Sequence, residues 1–297
     1  MAGQNIKILY LKNLGPNLIQ TLKNSRSNCF IVRLPTGINW KQVLVDPLKL
    51  APSNGKAVFY KNVTSKTVRL LEDSRKDKRR IQRLLYLISN YEEYQVPSSV
   101  EAERFIEEII HNPPIGKTIP YYVGPLPKSD FDKLFPSGPE LNDLQNTPIE
   151  GVNTLYGHLG ARMSGTAFHC EDAATRSYNL NLLGIKIWIM INVADTEKFE
   201  SLFLNDETPC DQFVRHQSLL ISPAELRRKN IRFDIICAGP GILVVTAPRQ
   251  YHAVINYTTS FAISTNFLFP GEAPIPPSLA VHVCRSGAFF HLTKSVH

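Results

Sequence analysis

The chain has no apolar run near the roughly 18 residues that a membrane-spanning helix needs. Its longest candidate, Ile185 to Val193, is interrupted by Lys186. The first residues, Met-Ala-Gly-Gln-Asn-Ile-Lys, lack the apolar stretch of a secretory signal. Cysteine is sparse: five in 297 residues, an odd and scattered set that forms no disulfide framework. Internal repeats and low-complexity tracts are missing too. These absences argue against a secreted, membrane or disulfide-stapled protein. What is present is an ordinary globular composition, 43% hydrophobic, with length for one large domain or two small ones. The 33 Lys+Arg exceed the 26 Asp+Glu and leave a formal charge of +7, a modest excess that fits a protein working beside nucleic acid.

Residues 1–60 mix short apolar runs, Ile6 to Tyr10 and Cys29 to Val32, with Pro and Gly, and predict short strands and a helix. Residues 66–112 predict helices. Leu70, Leu71, Ile81, Leu84, Leu85 and Leu87 recur at helix-like spacing, and Val100 to His111 repeats the pattern after Pro97. Between them lies a basic cluster of Arg75, Lys76, Lys78, Arg79, Arg80 and Arg83. It reads either as a solvated face or as a contact to DNA phosphates or an import signal. From Pro113 to Pro148 the chain is rich in Pro and Gly and carries Tyr121 and Tyr122, which predicts a long ordered connection of the kind that lines sites. Residues 153–270 switch to β-branched segments between turns, the pattern of a β-sandwich or barrel. One helix, Pro223 to Lys229, interrupts them behind the Ser222-Pro223 start signal.

The sharpest local feature is His169-Cys170-Glu171-Asp172. In a strand, residues i and i+2 point to the same side, so His169 and Glu171 can reach one ion together. Far downstream comes Gln250-Tyr251-His252. Two imidazoles and a carboxylate on one face of a metal are the ligand set of non-haem Fe(II) oxygenases. Taken alone, the three also fit ordinary structural residues.

The surrounding segments carry more. Thr166-Ala-Phe-His-Cys-Glu-Asp172, Tyr178-Asn-Leu-Asn-Leu-Leu-Gly-Ile-Lys-Ile-Trp188, Arg215-His-Gln-Ser-Leu-Leu-Ile-Ser-Pro223, Ala238-Gly-Pro-Gly241, Tyr251-His-Ala253 and Ser264-Thr-Asn-Phe267 follow in order. Together they resemble the JmjC (jumonji) family of 2-oxoglutarate-dependent oxygenases over about residues 115–290. Glu150-Gly-Val-Asn-Thr154 is similar to the start of the catalytic core in its JmjN/JmjC trimethyl-lysine demethylases. The resemblance implies a mainly β fold with flanking helices (α+β). A double-stranded β-helix of the jelly-roll or cupin kind would be the JmjC core over residues 113–270. Before it would stand an N-terminal mixed α/β segment, 1–112, with a diverged JmjN-like part around Leu34 to Trp40, and after it a C-terminal segment, 271–297.

Carried over position by position, the resemblance implies Fe(II) on His169, Glu171 and His252. It implies 2-oxoglutarate as co-substrate, paired through its distal carboxylate with Lys186 and bonded by Thr166, with Asn179 and Tyr122 as further contacts. A lysine inside an apolar strand otherwise needs a place on a solvent-facing edge. A structural Zn(II) is implied on Cys210 and His216 with His282 and Cys284, although the family has Cys-x-Cys at the second pair. Cys2His2 is as competent for tetrahedral zinc, and the alternative is a buried free Cys284 beside a surface His282. For substrate the implied residues are Tyr156, His158, Ser264 and Asn266. His158 stands where the family keeps a second tyrosine, and Gln217 where it keeps a lysine.

The activity so implied is histone lysine demethylation in the nucleus, by hydroxylation of N-methyl groups with release of formaldehyde and succinate. The partners would be a methylated histone tail, H3 foremost, and nucleosomal DNA through Arg75 to Arg83, with no membrane. Two alternatives stay open: a JmjC hydroxylase of protein side chains, and a chromatin regulator with weak or no demethylase activity.

Overall fold

A computed structural model describes residues 6–27, 29–34, 55–73, 75, 77–127, 130–143, 152–203 and 212–273, with the backbone of 282–283 and 290–291. Its strands are β1 (Lys7–Tyr10), β2 (Phe30–Arg33), β3 (Gly55–Thr64), β4 (Thr67–Asp73), β5 (Ile119–Pro125), β6 (Tyr156–Gly160), β7 (Gly165–His169), β8 (Arg176–Leu183), β9 (Lys186–Ile191), β10 (Leu219–Ile221), β11 (Phe233–Ala238), β12 (Ile242–Val245), β13 (His252–Asn256) and β14 (Ser260–Phe267). The helices are α1 (Leu18–Asn24), α2 (Lys78–Ser89), α3 (Ser99–His111), α4 (Pro139–Asp143), α5 (Thr196–Glu200), α6 (Phe213–Gln217) and α7 (Pro223–Arg228). No described helix is long and apolar enough to cross a membrane.

The larger sheet runs β1-β2-β12-β8-β14-β6-β5-β3-β4-β10 and the smaller β11-β9-β13-β7. Within them, β12-β8-β14-β6 and β11-β9-β13-β7 are antiparallel throughout. These eight strands are a double-stranded β-helix, a jelly roll. The expected mainly β architecture with flanking helices is what the chain adopts. Strands β1 and β2 widen the larger sheet at one edge, and β5, β3, β4 and β10 at the other.

Period-two alternation decides which side chains enter the space between the sheets. In β9, Ile187, Ile189 and Ile191 pack outward into a cluster with Phe105, Ile106 and Ile109 of α3. Lys186, Trp188 and Met190 therefore turn the other way. Both faces of β9 are covered, so it reads as a continuous apolar run rather than an alternating one. In β8, Tyr178, Leu180 and Leu182 join a second outer cluster with Leu18 and Leu22 of α1 and with Ile81, Leu84 and Ile88 of α2. Ser177 and Asn179 are left to face inward. Each fully buried Ile or Leu contributes roughly 1.5–3 kcal/mol, so the two outer clusters set the register of the inner faces.

Helix α3 is fixed at its start by a capping box. Ser98 Oγ accepts from Glu101 N while Glu101 Oε2 accepts from Ser98 N. Ser98→Ala should destabilise the protein by about 1 kcal/mol, read as a lower midpoint in urea with an unchanged slope.

Two expectations change, and a third falls mostly outside the described residues. Residues 67–73, expected to be helical, are strand β4, in which buried Val68 and Leu70 alternate with Arg69 against β3. A turn at Ser65–Lys66 and the β-branched pair Thr67-Val68 favour a hairpin, and the helix starts only after the Asp77 cap. The connection from Pro113 to Pro148 contains strand β5, which pairs with β3 and β6. Of the JmjN-like stretch, Leu34 is buried and 35–40 lie outside the described residues.

Candidate functional site

Strand β7 ends at His169 and β13 begins at His252, and the register sets the two opposite each other. Their ring centroids are 4.3 Å apart. Each ring Nδ1 lies against the carbonyl two residues earlier, at 2.9 Å for Ala167 O and 3.0 Å for Gln250 O. A carbonyl only accepts, so Nδ1 carries the hydrogen and the Nε2 lone pair is left free toward the cluster. Glu171 lies two residues beyond the end of β7. Its Oε1 is 3.6 Å from His252 Nε2, and its Oε2 accepts from Asn266 Nδ2 at 3.2 Å. One ligand atom from each of the three lies within 4.8 Å of the others.

The electrostatics suit a cation. Burial, reinforced by the neighbouring His252 and Arg215, holds His169 well below the ordinary histidine range. Burial also lowers His252, against the opposing pull of Glu171. Both imidazoles are neutral at physiological pH and need lose no proton to bind a metal. Two neutral nitrogen donors and a carboxylate, aimed at one point and pinned by backbone carbonyls, fit a first-row divalent ion.

The cluster opens into a cavity of about 310 Å3 between the two sheets. Lys186 lines it at the far end of β9 and is 2% exposed. Burial lowers its pKa from 10.5 to about 7, and no carboxylate among the described residues offsets that. Beside it the Tyr121 hydroxyl and Thr166 Oγ1 are 3.0 Å apart. Asn179 is buried with its Oδ1 unpaired among the described residues. Tyr156, His158, Ser264 and Asn266 form another wall, where His158 Nε2 meets Ser264 Oγ at 2.7 Å. Burial, with the charges of Lys186 and Lys56, lowers His158 to about 3, so this imidazole is neutral.

A family profile described as "JmjC domain, hydroxylase" matches residues 156–267. The chain carries a JmjC domain. Over 126 residues it is 37% identical to mouse "Lysine-specific demethylase 4B", covering 41% of this chain and 12% of that protein. Human "Probable lysine-specific demethylase 4F" is 34% identical over 127 residues, and rat "Lysine-specific demethylase 4D" 35% over 127. The matches cover 20% and 25% of those proteins and 41% of this chain in each case.

Within the JmjC domain and the strand beside it, the fold gathers His169, Glu171, His252, Lys186, Thr166, Asn179, Tyr156, His158, Ser264 and Asn266 around one cavity. Tyr122, expected as a phenolic donor, is turned away: it lies in the outer core and donates to Pro125 O at 2.9 Å. Tyr121 faces the cavity in its place, because its pairing with Gly160 puts it on the face of His158 and Thr166. Arg215, Ser177 and Trp188 also line the cavity and were not singled out by the sequence as site residues. Alternation from Lys186 could have found Trp188. Arg215 reaches the site by donating to Asp172 Oδ1 at 2.9 Å and Cys170 O at 2.8 Å, which no spacing rule shows.

Of the expected zinc ligands, Cys210 and Cys284 lie outside the described residues, as does the side chain of His282, while His216 is at the end of α6. In the basic cluster Arg75 and Arg80 pair with Asp73, and Arg79 with Asp77. Lys76 lies outside the described residues.

Proposed function

We propose that the protein is an Fe(II)- and 2-oxoglutarate-dependent lysine demethylase of the nucleus, acting on a methylated histone tail. The carrying observation is the convergence of two Nε2 atoms and one carboxylate at a cavity that also holds an uncompensated buried lysine. Iron with 2-oxoglutarate supplies, when bound, an oxidation that hydroxylates an N-methyl group, with succinate, CO2 and formaldehyde as co-products. The chain supplies the rest. His169, Glu171 and His252 hold the metal. Lys186, with the Tyr121 and Thr166 hydroxyls, takes the distal carboxylate, and Asn179 offers its amide to the same ligand. Trp188, tilted over His252 with centroids 5.4 Å apart, excludes water from that side of the metal. Tyr156, Ser264 and Asn266 receive the methylated side chain. The Cys210/His216 and His282/Cys284 set supports a structural zinc on donor chemistry alone. Nucleosomal phosphates are the proposed contact of the Arg75–Arg83 face.

A second reading, a JmjC hydroxylase of another protein side chain, is favoured by the neutral His158–Ser264 pair. That pair gives the wall hydrogen-bonding atoms where a cation would draw on aromatic faces. Incubation of methylated core histones with the protein, Fe(II), ascorbate and 2-oxoglutarate separates the two. Demethylation appears as a loss of about 14 Da per methyl group with formaldehyde released. No mass loss, with succinate formed on a different protein, sinks the first reading and leaves the second.

A further inference from the structure

Lys186 has one described hydrogen bond, from Nζ to Asn256 Oδ1 at 3.0 Å. Asn256 on β13 is the direct cross-strand partner of Lys186 on β9, so the two side chains share the inward face. An ammonium can only donate, so the amide oxygen of Asn256 must be the atom that faces it. Ser260 Oγ donates to that same Oδ1 at 2.6 Å. On the other side Asn256 Nδ2 donates to Ser164 Oγ at 2.8 Å, and Ser164 Oγ donates on to Ala161 O at 2.6 Å. The backbone of Asn256 is tied as well, its N–H to Ser164 O and its carbonyl to Met163 N, both at 2.8 Å. Asn256, Ser164 and Ser260 are each fully buried. Gly160 makes room for the arrangement, since a Cβ there would collide with Asn256 Nδ2 and Ser164 Oγ.

We infer that Asn256 is the positioning residue for Lys186, a neutral amide locked by Ser164 and Ser260 that fixes the ammonium in place without cancelling its charge. The distinction from an ion pair is the point. A carboxylate at this position would satisfy the lysine internally and leave nothing for an incoming anion. A dipole holds it through one hydrogen bond, adds no opposing charge and leaves its remaining N–H groups for the ligand. The anion served is the distal carboxylate of a dicarboxylic keto acid, and in this the inference rests on the proposed function.

The test compares 2-oxoglutarate with pyruvate, which keeps the keto-acid end and lacks the distal carboxylate. Binding of each to the Mn(II)-loaded full chain is measured by calorimetry. Asn256→Asp should weaken 2-oxoglutarate by about 30-fold or more, because the new carboxylate competes for Lys186. Pyruvate should change by less than about threefold, since it never reaches that lysine. Should Asn256→Asp fail to fold by circular dichroism, Ser164→Ala decides. It frees the amide to rotate and should cost 2-oxoglutarate about 3–10-fold, again sparing pyruvate. Equal losses for both ligands, or none for either, mean that Asn256 is merely structural and overturn the inference. Wild-type protein with no preference for 2-oxoglutarate over pyruvate would overturn the role of Lys186 and the inference with it. A wild-type preference that Asn256→Asp retains overturns the inference alone.

Discussion

Replacing Lys186 with methionine should make the metal-free protein more stable while lowering its affinity for 2-oxoglutarate about 100-fold or more. A substitution in the cavity that stabilises is the signature of a charge kept for a ligand. The ammonium is 2% exposed, has one neutral hydrogen-bond partner, and sits where burial lowers its pKa to about 7. Methionine matches its length and removes the desolvated charge, for a gain of about 1–4 kcal/mol. The direction with pH follows from the same shift. In the unfolded chain the lysine holds its proton up to its ordinary 10.5, in the folded protein only up to about 7. The lysine therefore opposes folding in full below pH 7, and that opposition fades as pH rises toward 10.5. Melting curves of the two proteins should differ most near pH 6 and converge at high pH. Wild-type affinity for 2-oxoglutarate should fall as pH rises above about 7, by up to about tenfold per unit, because binding must then take up a proton. A Lys186→Met protein that melts earlier than wild type at pH 6 would show that the ammonium already has a counter-charge.

Glu171→Ala should abolish turnover, at least about 1,000-fold down, by removing the only anionic ligand of the three. The accompanying loss is in metal affinity, expected at about 100-fold or more and measured by Mn(II) titration with electron paramagnetic resonance. Fold should survive. The Glu171 side chain is 17% exposed at the cavity mouth, and Asn266 Nδ2, which it would abandon, keeps Thr175 Oγ1 at 2.7 Å. Removing a carboxylate 3.6 Å from His252 Nε2 also withdraws the one group that favours protonation of that ring through its charge. The remaining two imidazoles stay neutral and can bind a soft ion weakly, so residual metal binding is compatible with the assignment. Wild-type affinity for Mn(II) is not.

Much of this site is visible in the sequence because its chemistry is carried by residue types that are costly where they stand. A lysine in an apolar run, a His-x-Glu at a strand end and a distant Tyr-His are each unusual, and the fold brings Lys186, His169, Glu171 and His252 to one cavity. What stays hidden is parity and partnership. Tyr121 and Tyr122 are adjacent and chemically equal, so only the pairing of β5 with β6 decides which one faces in. Leu70 and Leu71 fit a helix face as well as a strand until β3 is seen beside them. Asn256 is a polar residue at the end of an apolar strand, unremarkable until its register with Lys186 is known. Arg215 comes to the site through Asp172 and the carbonyl of Cys170, which lie 43 and 45 residues away in the chain.

Strand β8 puts Tyr178 into the outer core and Asn179 into the cavity from neighbouring positions. Adding or deleting one residue there would exchange the two, sending an amide into oil and a phenol into the ligand space. Descendants of this chain can thus alter what they act upon by swapping inward-facing side chains one at a time. Changes of length must be confined to the loops between strands, so the reading frame of the barrel is inherited whole while its lining is free to drift.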